Sequence, residues 1–259
     1  METSLRFYLT GRISVEAATL VDQARLPGAQ GRLALVYLVV ERHRPVPVDE
    51  LAAAVWGPDL PGSWEIALRA IVSKLRGTLR EVGADGALTS DGGCYQARLG
   101  NAWVDVEAAR NALDRAEGAL RRGDVAAAWS DSTVAAAITG RPLLPAEDLA
   151  WVDALRSDLH AVWVRANDVL AEAYIADGQH GVAAGVARGL VDAEPYRESG
   201  YRHLMRAHVA AGNRGEAVRV YAELRRRLID ELGVEPSPPT EAVYLQALRS
   251  RTSEEPPGT

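Results

Sequence analysis

Trp64-Glu65-Ile66-Ala67-Leu68-Arg69-Ala70-Ile71-Val72-Ser73-Lys74-Leu75-Arg76-Gly77-Thr78-Leu79-Arg80-Glu81-Val82 reads as one amphipathic helix. Placed at helical steps, Leu68, Ile71, Val72, Leu75, Leu79 and Val82 share one arc and face a core. Arg69, Ser73, Arg76 and Arg80 form a stripe well outside that arc, with Lys74 on its flank. Guanidinium groups in a row suit phosphate contacts and bidentate pairing with guanine in a major groove. The same row also fits the solvated face of an ordinary surface helix, so the neighbouring segments must discriminate.

Upstream, Leu33, Val36, Tyr37 and Val40 recur at helical spacing and predict a helix over about 30–42. Arg44-Pro45-Val46-Pro47-Val48 cannot continue it, because proline lacks the N–H donor and fixes φ. Asp49 is an N-cap candidate for a short helix over 50–56; Gly57–Ser63 then forms a loop whose Ser63 caps the long helix. Further back, 5–9, 12–15 and 18–21 are short β-prone runs broken by Thr10-Gly11. Downstream, residues 88–99 read as a hairpin around Gly92-Gly93, with Arg98 near its end. Three helices closed by a hairpin make a winged helix-turn-helix, in which the third helix enters the groove.

The 259-residue chain is long enough for two domains. Its charge is unevenly placed. Residues 1–104 hold 11 basic and 11 acidic side chains, so the net −6 falls entirely on the remainder. No apolar run is long enough for a membrane span, and the opening residues lack a signal-peptide pattern, so no membrane partner and a cytoplasmic location are expected. The lone Cys94 offers no intramolecular disulfide or metal pair, and reads as a half-buried strand residue. The five histidines are scattered, and His203 and His208, five apart, do not share a helix face. With no phosphate-binding glycine loop, zinc-protease motif or nucleophile elbow either, neither catalysis, a cofactor nor a metal is expected.

Beyond Trp103-Val104, where Asp105 is placed to cap the next helix, the pattern is helical with short breaks at Gly123-Asp124, Asp177-Gly178 and Gly212-Asn213. Leu170, Ala173, Gly178, Ala183, Val186 and Leu190 recur 34 residues later as Leu204, Ala207, Gly212, Ala217, Val220 and Leu224. That is the tetratricopeptide period. The expected fold is therefore mainly α: a winged helix-turn-helix with small strands over 1–103, and an all-α tetratricopeptide-like domain over 104–250. A disordered tail covers 251–259. Stacked helix pairs leave a groove for a peptide or a small-molecule effector, and Trp129, Trp151, Trp163, Tyr174, Tyr196, Tyr201 and Tyr221 either line it or fill the core. Arg225-Arg226-Arg227 reads as cations meeting a helix C-terminal dipole.

Four segments carry a family resemblance: residues 44–51 (RPVPVDEL), 55–57 (VWG), 67–76 (ALRAIVSKLR) and 231–238 (ELGVEPSP). In that order the chain resembles the SARP-type regulators of actinobacteria, a winged helix joined to a bacterial transcriptional activator domain. The resemblance implies that 64–82 is the recognition helix, 89–99 the wing, and 57–63 a loop facing RNA polymerase. It implies activation from direct repeats of double-stranded DNA near promoters, bound as tandem copies; a homodimer fits that arrangement. The DNA-contacting candidates are Arg69, Ser73, Lys74, Arg76, Arg80 and Arg98. The wing tip Asp91-Gly92-Gly93 carries no cation and residues 1–104 are neutral, which predicts modest affinity, steep salt dependence or help from oligomerisation. A second reading keeps the repeats as a protein-interaction adaptor, gated or not by a small molecule, with a degenerate winged helix.

Overall fold

The computed structural model describes residues 5–249. The expected tail at 251–259 lies outside them. Two compact units emerge: residues 5–110 with 138–160, and residues 111–137 with 161–249. The segment 138–160, which the linear division assigns to the repeats, thus groups with the N-terminal unit.

That first unit opens with β1 (Arg6–Tyr8), β2 (Ser14–Glu16) and β3 (Leu20–Asp22), an antiparallel meander. β7 (Trp103–Val104) joins it parallel to β1, pairing Phe7 with Val104 and giving the order β3-β2-β1-β7. Each strand points one apolar residue inward; Phe7, Val15, Val21 and Val104 are all buried. What reads in sequence as a junction at 103–104 is a sheet edge.

Three helices share one hydrophobic core with this sheet: α1 (Gly28–Val40), α2 (Val48–Trp56) and α3 (Trp64–Glu81). Leu35, Leu38, Leu51, Leu68 and Leu75 are completely buried between them. Asp49 does not cap α2. The helix begins two residues earlier than expected, at Val48; Pro47 holds the cap position without a side-chain bond, and Asp49 and Glu50 lie in the first turn, where carboxylates meet the positive dipole end. Ser63 precedes α3 without a side-chain cap, although its carbonyl accepts from Ile66 and Ala67 N–H. β4 (Val46–Pro47), β5 (Leu88–Asp91) and β6 (Cys94–Ala97) form the second sheet, order β4-β6-β5. The proline pair that breaks α1 therefore also supplies an edge strand, where a missing donor is tolerated.

Asp105, the first residue of α4 (Asp105–Arg121), is fully buried, with no cationic partner among the described residues. Its carboxylate accepts from Leu9 N–H at 3.0 Å, Thr10 N–H at 2.9 Å, the Thr10 hydroxyl at 2.8 Å and Val106 N–H at 2.8 Å. As the first residue of the helix rather than its cap, Asp105 bolts the β1 end to α4. Segment 138–160 is fastened similarly. Gly11 N–H donates to Pro142 carbonyl at 2.7 Å, and Trp151 Nε1 donates to Ala54 carbonyl at 2.9 Å while its ring meets Tyr37 edge-on. Leu144 takes φ 44° with its side chain buried; the guanidinium of Arg156 collects the carbonyls of Leu143, Leu144 and Glu147 around it.

The second unit comprises the later turns of α4, then α5 (Val125–Thr139), α6 (Ala150–Ala176), α7 (His180–Ala193), α8 (Glu198–Ala210), α9 (Arg214–Leu232) and α10 (Pro238–Arg249), α5 and α6 giving only their residues within it. The 34-residue period is geometric as well as chemical. Gly178 and Gly212 adopt φ 77° and 78°, conformations that favour glycine, and the next N–H of each turn reaches back to Tyr174 and His208 carbonyls at 2.9 and 2.8 Å. Ala173, Ala183, Ala207 and Ala217 are buried where paired helices touch. Between α6 and α8, His203 lies 3.2 Å from Asp168 and 3.5 Å from Glu172; Arg197 and Arg206 bind the outer sides of these carboxylates.

The aromatic residues divide. Tyr201 is fully buried, Trp151 belongs to the first unit, Tyr221 stacks on Tyr244 at 3.9 Å, and Trp129 and Tyr196 are exposed. Arg225 and Arg227 do not serve the α9 dipole, because α9 runs on to Leu232. Arg225 instead pairs with Glu235 at 2.7 Å, and Arg227 donates to the Tyr201 hydroxyl. Among the described residues no helix is long and apolar enough to cross a membrane, and no cluster suits a metal ion.

Candidate nucleic-acid interface

The α3 helix owes its orientation to Leu68, Val72, Leu75 and Leu79, which are all buried. Their arc turns the opposite arc outward: Ile66, Arg69, Ala70, Ser73 and Arg80 are exposed, with Lys74 beside them. Arg69 has a side chain 71% exposed and lies 3.4 Å from Glu65; Arg80 is 67% exposed and lies 3.3 Å from Asp85. Ion pairs of this length between exposed groups are weak, so both guanidiniums remain available to a stronger anion.

Arg76 departs from the expected stripe. It is partly buried, and its Nε donates to the Leu88 carbonyl at 2.9 Å, at the start of β5. A guanidinium that reads in sequence as groove-facing instead ties the wing to the helix. Gly92 and Gly93, at φ 53° and 77°, supply the positive angles of a tight two-residue hairpin turn. Val48 N–H donates to Gly93 carbonyl at 3.0 Å, so α2 is anchored to that turn as well. Arg98 is exposed, but it sits at the hairpin's base, where its N–H closes on Ala87 carbonyl at 2.8 Å. The tip carries only Asp91. The structure therefore leaves Arg69, Ser73, Lys74 and Arg80 exposed on α3, while Arg76 of the same helix is partly buried against the hairpin and Arg98 lies at the hairpin's base.

Behind α2, Tyr37 donates to Glu50 at 2.6 Å and Arg44 grips the same carboxylate at 3.0 Å. Burial, reinforced by Glu50, pushes the Tyr37 hydroxyl up to about 12, while Arg44 and then Tyr37 hold Glu50 below its usual range. This network ties α1 to α2, and near neutrality it holds Tyr37 as a neutral hydroxyl donor and Glu50 as a carboxylate. Ile66 is the residue that periodicity alone passes over. It is 71% exposed, the greatest value among the exposed large hydrophobic side chains of the described residues, and a helical wheel places it opposite Leu75.

Residues 104–248 match the model of the bacterial transcriptional activator domain. The chain belongs to that family. Bacterial transcriptional activator domain relatives include the regulatory protein AfsR of Streptomyces griseus, 28% identical over 95% of this chain and 25% of its own length. The transcriptional regulatory protein EmbR of Mycobacterium tuberculosis is 25% identical over 97% of this chain and 65% of its own, and MoaR1 of the same species is 28% identical over 84% and 71%. A solved structure of M. tuberculosis EmbR in complex with a low-affinity phosphopeptide superposes with TM-score 0.86 at 26% identity, covering 96% of this chain and 66% of that one. The chain spans about a quarter of the length of the AfsR it matches. The SARP-type resemblance is thereby established, winged helix and helical repeats included. The family is one of transcription regulators rather than enzymes.

Proposed function

We propose that this chain binds double-stranded DNA sequence-specifically, laying the exposed face of α3 in the major groove, and activates transcription from direct repeats near promoters. The observation that carries this reading is the separation of labour on α3. Arg69, Ser73, Lys74 and Arg80 face outward, while Arg76 ties the helix to the wing. Arg69 is placed for a base edge or a phosphate; Lys74 and Arg80 serve as phosphate contacts, and Ser73 donates to either. The exposed loop 57–63, with Leu60 at its surface, is the segment we assign to RNA polymerase. The repeats are the surface for a second copy or an effector; a cleft of about 380 Å³ lined by Trp129, Ala173, Asp177 and Gln179 suits a peptide side chain or a small molecule.

Sequencing the genomic fragments that the full chain retains at moderate salt tests this proposal. Enrichment of a repeated motif upstream of genes is expected. Retention of fragments without a common motif would favour the adaptor reading, for which the acidic wing tip is the specific support.

A further inference from the structure

The outward face of α3 contains an apolar group that its fold does not account for. Ile66 is 71% exposed although it belongs to a well-packed 18-residue helix. It lies one turn before Ala70, which is also exposed, and three residues before Arg69. Glu65 and Arg69 stand on one flank, Ser73 follows one turn beyond Ala70, and Lys74 borders the other side. Leaving an isoleucine in water gains nothing in folding, and its cationic surroundings argue against a buried protein–protein core, which would have to desolvate them.

We infer that Ile66, seated on Ala70, reads the C5-methyl group of a thymine in the bound site. The inference rests on the DNA-binding reading above and names the chemistry of one base it selects. Three arguments converge on it. Ile66 is the third residue of α3, and the first turns of a recognition helix reach the base edges, whereas later turns run out along the backbone. The thymine methyl is the one apolar group on the major-groove edges, and apolar side chains recognise it. The neighbouring Arg69, Lys74 and Arg80 supply the cations that draw a polyanion onto this face, so the hydrophobic group lies inside a charge-complementary footprint. Ala70 matters because a longer residue there would hold the helix off the methyl. The selected thymine then neighbours the base or phosphate that Arg69 touches, since the two residues are one turn apart on the same face.

The test is a thermodynamic cycle on the full chain. A random duplex library is selected first with the wild-type protein, and affinities are then measured on the selected duplex and on versions with deoxyuridine replacing one thymine at a time. That change removes the methyl and leaves pairing intact. At one position the replacement is expected to weaken wild-type binding by about fourfold, the worth of one buried methyl-sized group. I66A is expected to lose a similar factor on the thymine duplex and nothing further on the deoxyuridine duplex. Equal losses for both proteins at every position, or no loss for wild type at any position, would overturn the inference. So would an I66A protein with unchanged selection and affinity but reduced activated transcription, which would assign Ile66 to polymerase. If wild type enriches no motif, the DNA-binding reading itself fails, an outcome distinct from these. Because Ile66 is exposed, the variant keeps the α3 core, and unchanged far-UV circular dichroism verifies this.

Discussion

At the scale of single residues, roles follow from which atoms a side chain can still offer once the fold is made. Arg69 and Arg76 look equivalent on a helical wheel, yet Arg76 has its Nε committed to Leu88 carbonyl and Arg69 has only a 3.4 Å exposed partner. R76A should therefore loosen the hairpin, detected as faster amide exchange at residues 88–97, whereas R69A should leave exchange unchanged. Asp105 gives the sharper stability prediction. Replacing it by alanine leaves Leu9 N–H, Thr10 N–H and the Thr10 hydroxyl buried without acceptors, a cost of about 3 kcal/mol or more. Chemical denaturation of D105A checks this through a lower midpoint at unchanged m-value. A midpoint equal to wild type would mean that water or a shifted backbone replaces the carboxylate.

At the scale of elements, sequence periodicity carried much of the architecture. The faces of α3 follow from its apolar spacing, the hairpin from Gly92-Gly93, and the paired helices of the repeat from six residues recurring at one interval. The elements that escaped it are those whose identity depends on distant partners. β7 is two residues long and exists because Phe7 and Val104 are brought side by side. β4 is hidden by its prolines, and its pairing with β6 is visible only in three dimensions. The segment 138–160 holds Pro142 and Pro145 and has no repeat to mark it, but its carbonyls converge on Arg156, some of them a dozen residues away in sequence. R156A should release three carbonyls around the left-handed Leu144 and lower the stability of the N-terminal unit by about 2 kcal/mol, read from its denaturation midpoint. Within the candidate site, the outward exposure of Arg69, Ser73, Lys74 and Arg80 was legible from spacing. The withdrawal of Arg76 was not, because the wing's position sets it.

At the scale of the whole molecule, charge and protonation give two predictions. Against burial, the His203 hydrogen bond to Asp168 and the Glu172 carboxylate 3.5 Å from its other ring nitrogen raise its pKa. The nearby His203 imidazole, against burial and with help from Arg206, pulls Glu172 down to about 2. A raised histidine pKa means that protonation favours the folded state. This stabilisation is complete below the ordinary histidine value of about 6.5 and is lost as pH rises through the higher folded value. The repeat unit should thus show a thermal midpoint that falls as pH rises from about 6.5 through the raised folded value of His203, and H203Q should flatten the profile. Glu172 contributes in the other direction: its stabilisation is present above about 4.5 and fades as pH falls towards 2. Salt dependence belongs to the same scale. Residues 1–104 are neutral, and with Arg76 withdrawn, Arg69, Lys74 and Arg80 remain as the cations of the α3 face. Three phosphate contacts give log K against log salt a slope of about −3 per bound copy, moderate rather than steep. Tandem copies on a direct repeat would multiply it.

The central claim is that the outward face of α3 holds the DNA, and one titration addresses it directly. The full chain and its R69A/R80A variant are compared on the selected duplex at fixed salt, with circular dichroism as the check on folding. A loss of about tenfold or more, with a slope shallower by about one to two units, is predicted. Equal affinity and equal slope for the two proteins would contradict it.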